Sequence, residues 1–290
     1  MAIQTVAQDF LVPAVGESLP SAPTAGAVRL YGGQIANRPT IFYRNADGKA
    51  LPLQNSFARS RIAWATANGN TTTVSVFGLT ITNTGTATAA ATGSGSFYAS
   101  QRRVDILVTS ASTTAVAGFR YNESQMWRGD TAGFGGFLFN CRWGPSTGVA
   151  TSTTRGFCGL MSATGAPSDA NPSSNNNVLG MGWDNGDTNI SFMHKTGSGT
   201  VVKETLSGSW PRPSVNNTDV FDISIYSAPN GSTIEYEITN LTTGVTTRGS
   251  VSSDLPANTT FLCPKCYMSV GGTSSVIGVS LFNMFIESDL

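Results

Sequence analysis

Apolar and polar residues alternate with a period of two along most of this chain, most clearly from Asp219 to Val251. Phe221, Ile223 and Ile225 alternate with Asp222 and Ser224. Ile234, Tyr236 and Ile238 alternate with Glu235, Glu237 and Thr239, and Val245, Thr247, Gly249 and Val251 with Thr246, Arg248 and Ser250. A period of two describes strands with one buried face and one wet face. Pro229-Asn230-Gly231 separates the first two runs and Thr242-Thr243-Gly244 the last two. Pro fixes φ, and Asn and Gly accept positive φ, so both are turns. The stretch is predicted to be a three-stranded antiparallel meander.

Similar short runs recur from Arg61 onward. Ile62–Trp64, Thr73–Phe77, Leu79–Ile81, Arg102–Val108 and Val116–Arg120 read as strands, and residues 83–96 as a loop or weak edge strand. Gly133–Arg142 is the most apolar block. It is expected to be a central strand with Phe137, Phe139 and Cys141 on the buried face, pairing with Thr153–Met161. Val178–Trp183 and Ile190–His194 flank Asp184-Asn185-Gly186-Asp187, a hairpin by its turn residues. Phe261–Cys263 follows the meander, and Ser275–Glu287 closes the chain. No helix–strand alternation is visible, so the chain is predicted to be all-β, an antiparallel β-sandwich over residues 61–290. The eight residues Phe137, Phe139, Phe221, Ile223, Ile225, Ile234, Tyr236 and Ile238 are expected in one inter-sheet core.

Residues 1–60 differ. Five prolines punctuate them, and their apolar patches are short. Arg38–Tyr43 reads as an edge strand, residues 45–48 as a hairpin turn and Ala50–Leu53 as the return strand. The segment reads as an extended N-terminal anchoring arm that carries a short hairpin and docks on another surface.

Composition narrows the function classes. Charged residues are 12% of the chain and the net charge is zero. Ser, Thr, Asn and Gly fill the polar positions, as suits strands and turns. No cation cluster exceeds Arg102-Arg103, which argues against nucleic-acid binding. No apolar run nears the ~20 residues of a membrane helix, and the N-terminus lacks the pattern of a signal peptide. Synthesis in the cytoplasm is therefore expected. The four cysteines include Cys263-Pro-Lys-Cys266, but Cys141 and Cys158 do not supply a second close pair, so no metal is expected. They are read as buried, reduced thiols.

Several short segments, in order, resemble the distal domain of tailed-bacteriophage structural proteins. These are Trp127-Arg128-Gly129 before Gly135-Gly136-Phe137, Phe157–Leu160, Ala166-Pro167, Asn177–Gly182, Asp187–Asn189, Pro229–Gly231 and Asp254–Thr259. Ala50–Gln54 and Thr72–Gly78 resemble the part that precedes that domain. The resemblance runs from about residue 38 and implies a virion tail or capsid fibre with a concanavalin-like jelly roll. It implies a non-enzymatic subunit, on the tail rather than the capsid, that anchors through residues 1–60 to other virion proteins and presents a lectin-like sandwich for host attachment. Fibre proteins of this kind are commonly threefold, so a homotrimer is expected. Phe282, Met284, Phe285 and Ile286 in the closing strand put apolar side chains on both faces, and a subunit contact is expected to cover the second. The alternatives are a polysaccharide-degrading tail enzyme and a capsid fibre or decoration protein.

Candidate chemistry is sparse. His194 is the sole histidine, so any Ser-His-Asp triad has to be built on it, and no G-x-S-x-G is present. A carboxylate pair for glycoside hydrolysis would draw on Asp130, Asp184, Asp187, Glu204, Asp219 and Asp222. Asp184–Asp187 lacks the distal Glu of a calcium loop and reads as a turn. Sugar binding uses an aromatic platform with polar neighbours. Trp127, Arg128 and Asp130 form one such candidate set, and Trp183, Asp184 and Asn185 another. No cofactor is implied.

Overall fold

The computed structural model describes residues 21–24, 28–35, 38–45, 50–52, 61–131, 134–149 and 151–288. The chain divides into two compact units, Met1–Asn55 and Ser56–Leu290.

The first unit holds β1 (Val28–Ile35), β2 (Arg38–Asn45) and β3 (Ala50–Pro52), in the sheet order β1-β2-β3. The predicted edge strand is therefore the middle one. The alternation did not reveal β1, whose centre is Gly32-Gly33. Pro39 is tolerated because β3 pairs only with Phe42–Arg44, so the edge beside Pro39 carries no ladder bond to it. Tyr31 stacks on Phe42 with ring centroids 5.5 Å apart, whereas Leu30 and Ile41 are exposed. The predicted turn at 45–48 falls mostly outside the described residues, as do Phe10, Leu11 and Leu53.

The second unit contains β4 (Arg61–Ala67), β5 (Val74–Phe77), β6 (Ile81–Thr84), β7 (Thr86–Ala89), the single-turn helix α1 (Phe97–Ser100), β8 (Val104–Ser112) and β9 (Val116–Tyr121). The sandwich continues through β10 (Phe137–Thr147), β11 (Arg155–Met161), β12 (Val178–Trp183), β13 (Ser191–Lys195) and β14 (Val202–Thr205). It ends with β15 (Phe221–Ser227), β16 (Ile234–Asn240), β17 (Val245–Val251), β18 (Cys263–Ser269) and β19 (Ser275–Ser288). One sheet of nine strands runs β17-β16-β15-β10-β19-β4-β5, with β8 beside β19 and β7 beside β8. The other has seven strands, β14-β13-β12-β11-β18-β9-β6. Every pairing among the described residues is antiparallel, and the chain passes between sheets at β5–β6, β6–β7, β8–β9, β9–β10, β10–β11, β14–β15, β17–β18 and β18–β19, the wrapping of a jelly roll.

The meander forms as β15-β16-β17, with Ile223 opposite Ile238 and Ile225 opposite Tyr236. Asn230 takes φ 51° and Gly244 φ 76°, the left-handed conformations their turns demand. All eight expected core residues lie in one buried cluster. Across the sandwich Trp143 stacks on Trp183 at 6.1 Å and Tyr236 on Phe192 at 3.9 Å, joining the two sheets.

Three expectations are corrected. β11 does not pair with β10. It joins the other sheet between β12 and β18 and faces β10 across the core. Alternation gives the faces of a strand but not its sheet. Second, the strand after the meander is not confined to Phe261–Cys263, because β18 continues to Ser269 with every residue buried. Cys263 and Cys266 are three apart on β18, so they point to opposite faces. Cys266 joins the inter-sheet core, while the Cys263 Sγ–H donates to the Ala163 carbonyl at 3.3 Å. All four cysteines are buried and free, and burial pushes the Cys266 thiol up to about 11.

The third correction concerns the closing strand. Its second face is covered within the chain at Phe282, while Phe285 stays half-buried. α1 is capped by the Ser96 hydroxyl and lays Tyr98 edge-on against Phe282 at 5.4 Å, beside Val220. The Tyr98 hydroxyl lies 2.6 Å from Ser280 Oγ. Residues 83–96 resolve into β7 and the approach to this helix. No subunit contact is needed to bury Phe282.

Candidate functional site

Segment 162–177 folds over the outer face of the seven-stranded sheet. It lies over the buried cluster of Phe157, Met161, Val178, Met193 and Tyr267. Its carbonyls at Gly165 and Ser173 accept from the buried ammonium groups of Lys265, at 2.8 Å, and Lys195, at 3.4 Å. One end is clasped by charge. Arg155 bonds Asp169 at 2.5 Å and Asn171 at 2.7 Å, and Asp169 also accepts from the Gly271 and Gly272 amides.

Burial pulls the Asp169 pKa up. The nearby Ser269 hydroxyl, the Gly271 N–H and Arg155 outweigh burial and hold it below the usual carboxylate value. A depressed folded pKa adds stability that is present above the unfolded value of about 3.9 and lost as pH falls through the folded one. Between pH ~5 and pH ~2 the native chain is therefore expected to lose stability more steeply than Asp169→Asn. Urea midpoints at stepped pH check this, and parallel curves would contradict it.

Asp184 and Asn185, two of the predicted sugar ligands, belong to this clasp. Asp184 Oδ1 accepts from the Ser173 amide at 3.2 Å, and Oδ2 lies 2.7 Å from Lys203 Nζ. The Asn185 N–H donates to Asn171 Oδ1. Trp183 does not reach the surface. Its indole is fully buried between the sheets, and Nε1 donates to the Thr154 carbonyl at 3.1 Å. It sits one residue before the turn, where the period-two rule points it inward, so it offers no platform to a sugar.

Trp127, Arg128 and Asp130 lie toward the other end of β10. Arg128 spends its guanidinium on the carbonyls of Gly231 and Pro256, at 2.5 Å from Nη2 and 2.9 Å from Nη1, and burial lowers its pKa. Trp127 stacks on the exposed Phe261 at 5.1 Å. Asp130 is exposed and meets only the Thr131 hydroxyl. The two predicted sets are thus separate, and the charged members of each are largely structural.

The acid–base candidates are likewise engaged. His194 is buried, with Nε2 3.1 Å from Glu204 Oε1 and Nδ1 without a partner, and it shares the inward face of Phe192. Asp222 is paired with Arg142 at 2.9 Å and accepts from Asn140, and Asp219 accepts from Asn240 at 2.9 Å. Asp187 is paired with Lys203 at 2.6 Å. Burial lowers the Lys203 pKa, but the carboxylates of Asp184 and Asp187 outweigh it, so the ammonium stays above its ordinary value.

Beside this pair lies a cleft of about 510 Å³, lined by residues 187–191, 205–206 and 208–210. Its two walls are zipped together, since the Ile190 N–H donates to the Trp210 carbonyl at 2.8 Å and the Arg212 N–H to Thr188 at 2.9 Å. Trp210 is buried in the floor with Ile190 and Leu206, and its Nε1 donates to Thr247 Oγ1 at 2.8 Å. The rim side chains of Thr188, Asn189, Thr205 and Ser209 are exposed and make no bond to another described residue. Asp187 was visible as a candidate carboxylate in the sequence, whereas Trp210 was in neither candidate set. Their juxtaposition was not visible, because some twenty residues and two strands separate them.

No family model and no curated protein matches the chain. Among solved structures, peanut lectin is similar with a TM-score of 0.47 and 12% identity, over 80% of this chain and 98% of that one. Lectin UEA-II complexed with galactose has a TM-score of 0.47 and 14% identity, over 81% and 100%. A protein of unknown function from Shewanella oneidensis MR-1 has 0.46 and 13%, over 82% and 90%.

Proposed function

We propose that this chain is a non-enzymatic structural subunit of a tailed-phage virion, a fibre or appendage on the tail, whose sandwich attaches to carbohydrate on the host surface. The observation that carries the attachment reading is the cleft beside Trp210. Its rim offers hydroxyl and amide side chains that bond no described residue, beside one carboxylate, Asp187, that is held by Lys203 through a single oxygen, around an apolar floor, which is the complement of a sugar ring. The virion placement rests on the ordered segments that resemble phage structural proteins. Residues 1–60 are the proposed anchor to other virion proteins, and the subunit is proposed to work as a homotrimer.

Negatively stained phage particles labelled with an antibody to the sandwich test the placement. Label on a threefold tail appendage is expected, label on the capsid would move the protein there, and unlabelled particles would remove it from the virion. Incubation with host envelope polysaccharide tests the activity. Retention of the protein without release of reducing sugar is expected, and release would make it a depolymerase.

A further inference from the structure

The cleft has a chemical bias. Asp187 Oδ2 is saturated by Lys203 Nζ at 2.6 Å and the Asp184 amide at 2.8 Å. Oδ1 takes no bond from any described residue, and the residue lines the cleft. A carboxylate oxygen has two lone pairs, so it can accept from two neighbouring hydroxyls at once. Among the described residues that line the cleft, none is cationic. Lys203 is held between Asp184 and Asp187, and Arg212 Nη1 donates to the carbonyls of Ser152 and Thr154. The remaining rim groups, Asn189, Thr205 and Ser209 among them, are neutral.

From this arrangement we infer that the cleft is selective for a neutral sugar with two adjacent hydroxyls, received by Asp187 Oδ1 and Asn189, and that Lys203 is the positioning residue that aims Asp187. The inference rests on the attachment reading and names its ligand class. An acidic sugar would bring its carboxylate or sulfate against Asp187 in a partly enclosed site whose lining holds no cation, which costs affinity. Lys203 acts indirectly. By binding one oxygen of Asp187 and holding Asp184 in the same clasp, it leaves the other oxygen facing the ligand.

An array of neutral and acidic glycans, probed with the full chain, tests the bias. Isothermal titration with the best neutral hit and with its uronic-acid counterpart then measures it. Binding of neutral glycans is expected, with the acidic counterpart at least about tenfold weaker. Asp187→Asn is expected to weaken the neutral hit by about tenfold or more, as loss of a charge-assisted bond does. Lys203→Met should weaken it similarly, while Lys203→Arg retains most of the affinity. Lost affinity in Lys203→Arg equal to that of Lys203→Met would overturn the positioning role. Ser209→Trp places a bulky side chain at the exposed rim without touching the clasp and should abolish binding, even if the Asp187 and Lys203 variants fold poorly. Acidic glycans bound as tightly as neutral ones, or full affinity in Asp187→Asn or Ser209→Trp, would overturn the inference and leave the attachment reading standing. An array with no bound glycan would overturn both.

Discussion

Phe139→Ala is expected to lower the unfolding free energy by ~3–5 kcal/mol, the usual cost of truncating a buried aromatic ring and leaving the space partly empty. Phe139 is 1% exposed and lies on the inner face of β10, opposite Ile225 on one side and Ile286 on the other. Each of those neighbours is itself buried, so the sheet has no loose side chain to swing into the gap. Urea denaturation followed by tryptophan fluorescence measures the change. Phe77→Ala is the control, because that ring is 59% exposed on the edge strand β5 and should change stability by no more than about 1 kcal/mol. Equal losses in the two variants would mean that the inner face of β10 is wrongly placed.

Trp183→Ala is expected to cost a comparable ~3–5 kcal/mol, with about 1 kcal/mol more for the Thr154 carbonyl left without its donor. The indole is 0% exposed, stacked on Trp143 and seated over Gly156. That glycine is a second test of the same packing. A Cβ added to Gly156 would stand 2.3 Å from Trp183 Cη2, so Gly156→Ala should destabilise by ~1–3 kcal/mol through overpacking. A Trp183→Ala variant of native stability that had lost carbohydrate binding would restore Trp183 as a surface ligand. The packing predicts the reverse, an unstable protein whose cleft chemistry depends on Asp187.

The sequence by itself determined most strands of the sandwich and their faces. The alternation around Phe221, Ile234 and Phe137 marked the inward residues correctly, because parity along a strand is a local property that burial enforces. Turn residues such as Asn230 and Gly244 marked where the chain reverses, since their backbone conformations are local as well. The tertiary structure decided what parity leaves open. It placed β11 in the sheet opposite β10, because two strands with the same pattern fit either sheet and only the route of the connection chooses. It carried the strand after the meander on to Ser269, and so set Cys263 and Cys266 on opposite faces of one strand. It also supplied Tyr98, from a four-residue helix too short to leave a periodic signal, as the cover for Phe282. The cleft belongs to this second group. Asp187, Asn189 and Ser209 are ordinary loop residues in the sequence, and they become a site only when the edge of the seven-stranded sheet brings two distant loops against Trp210.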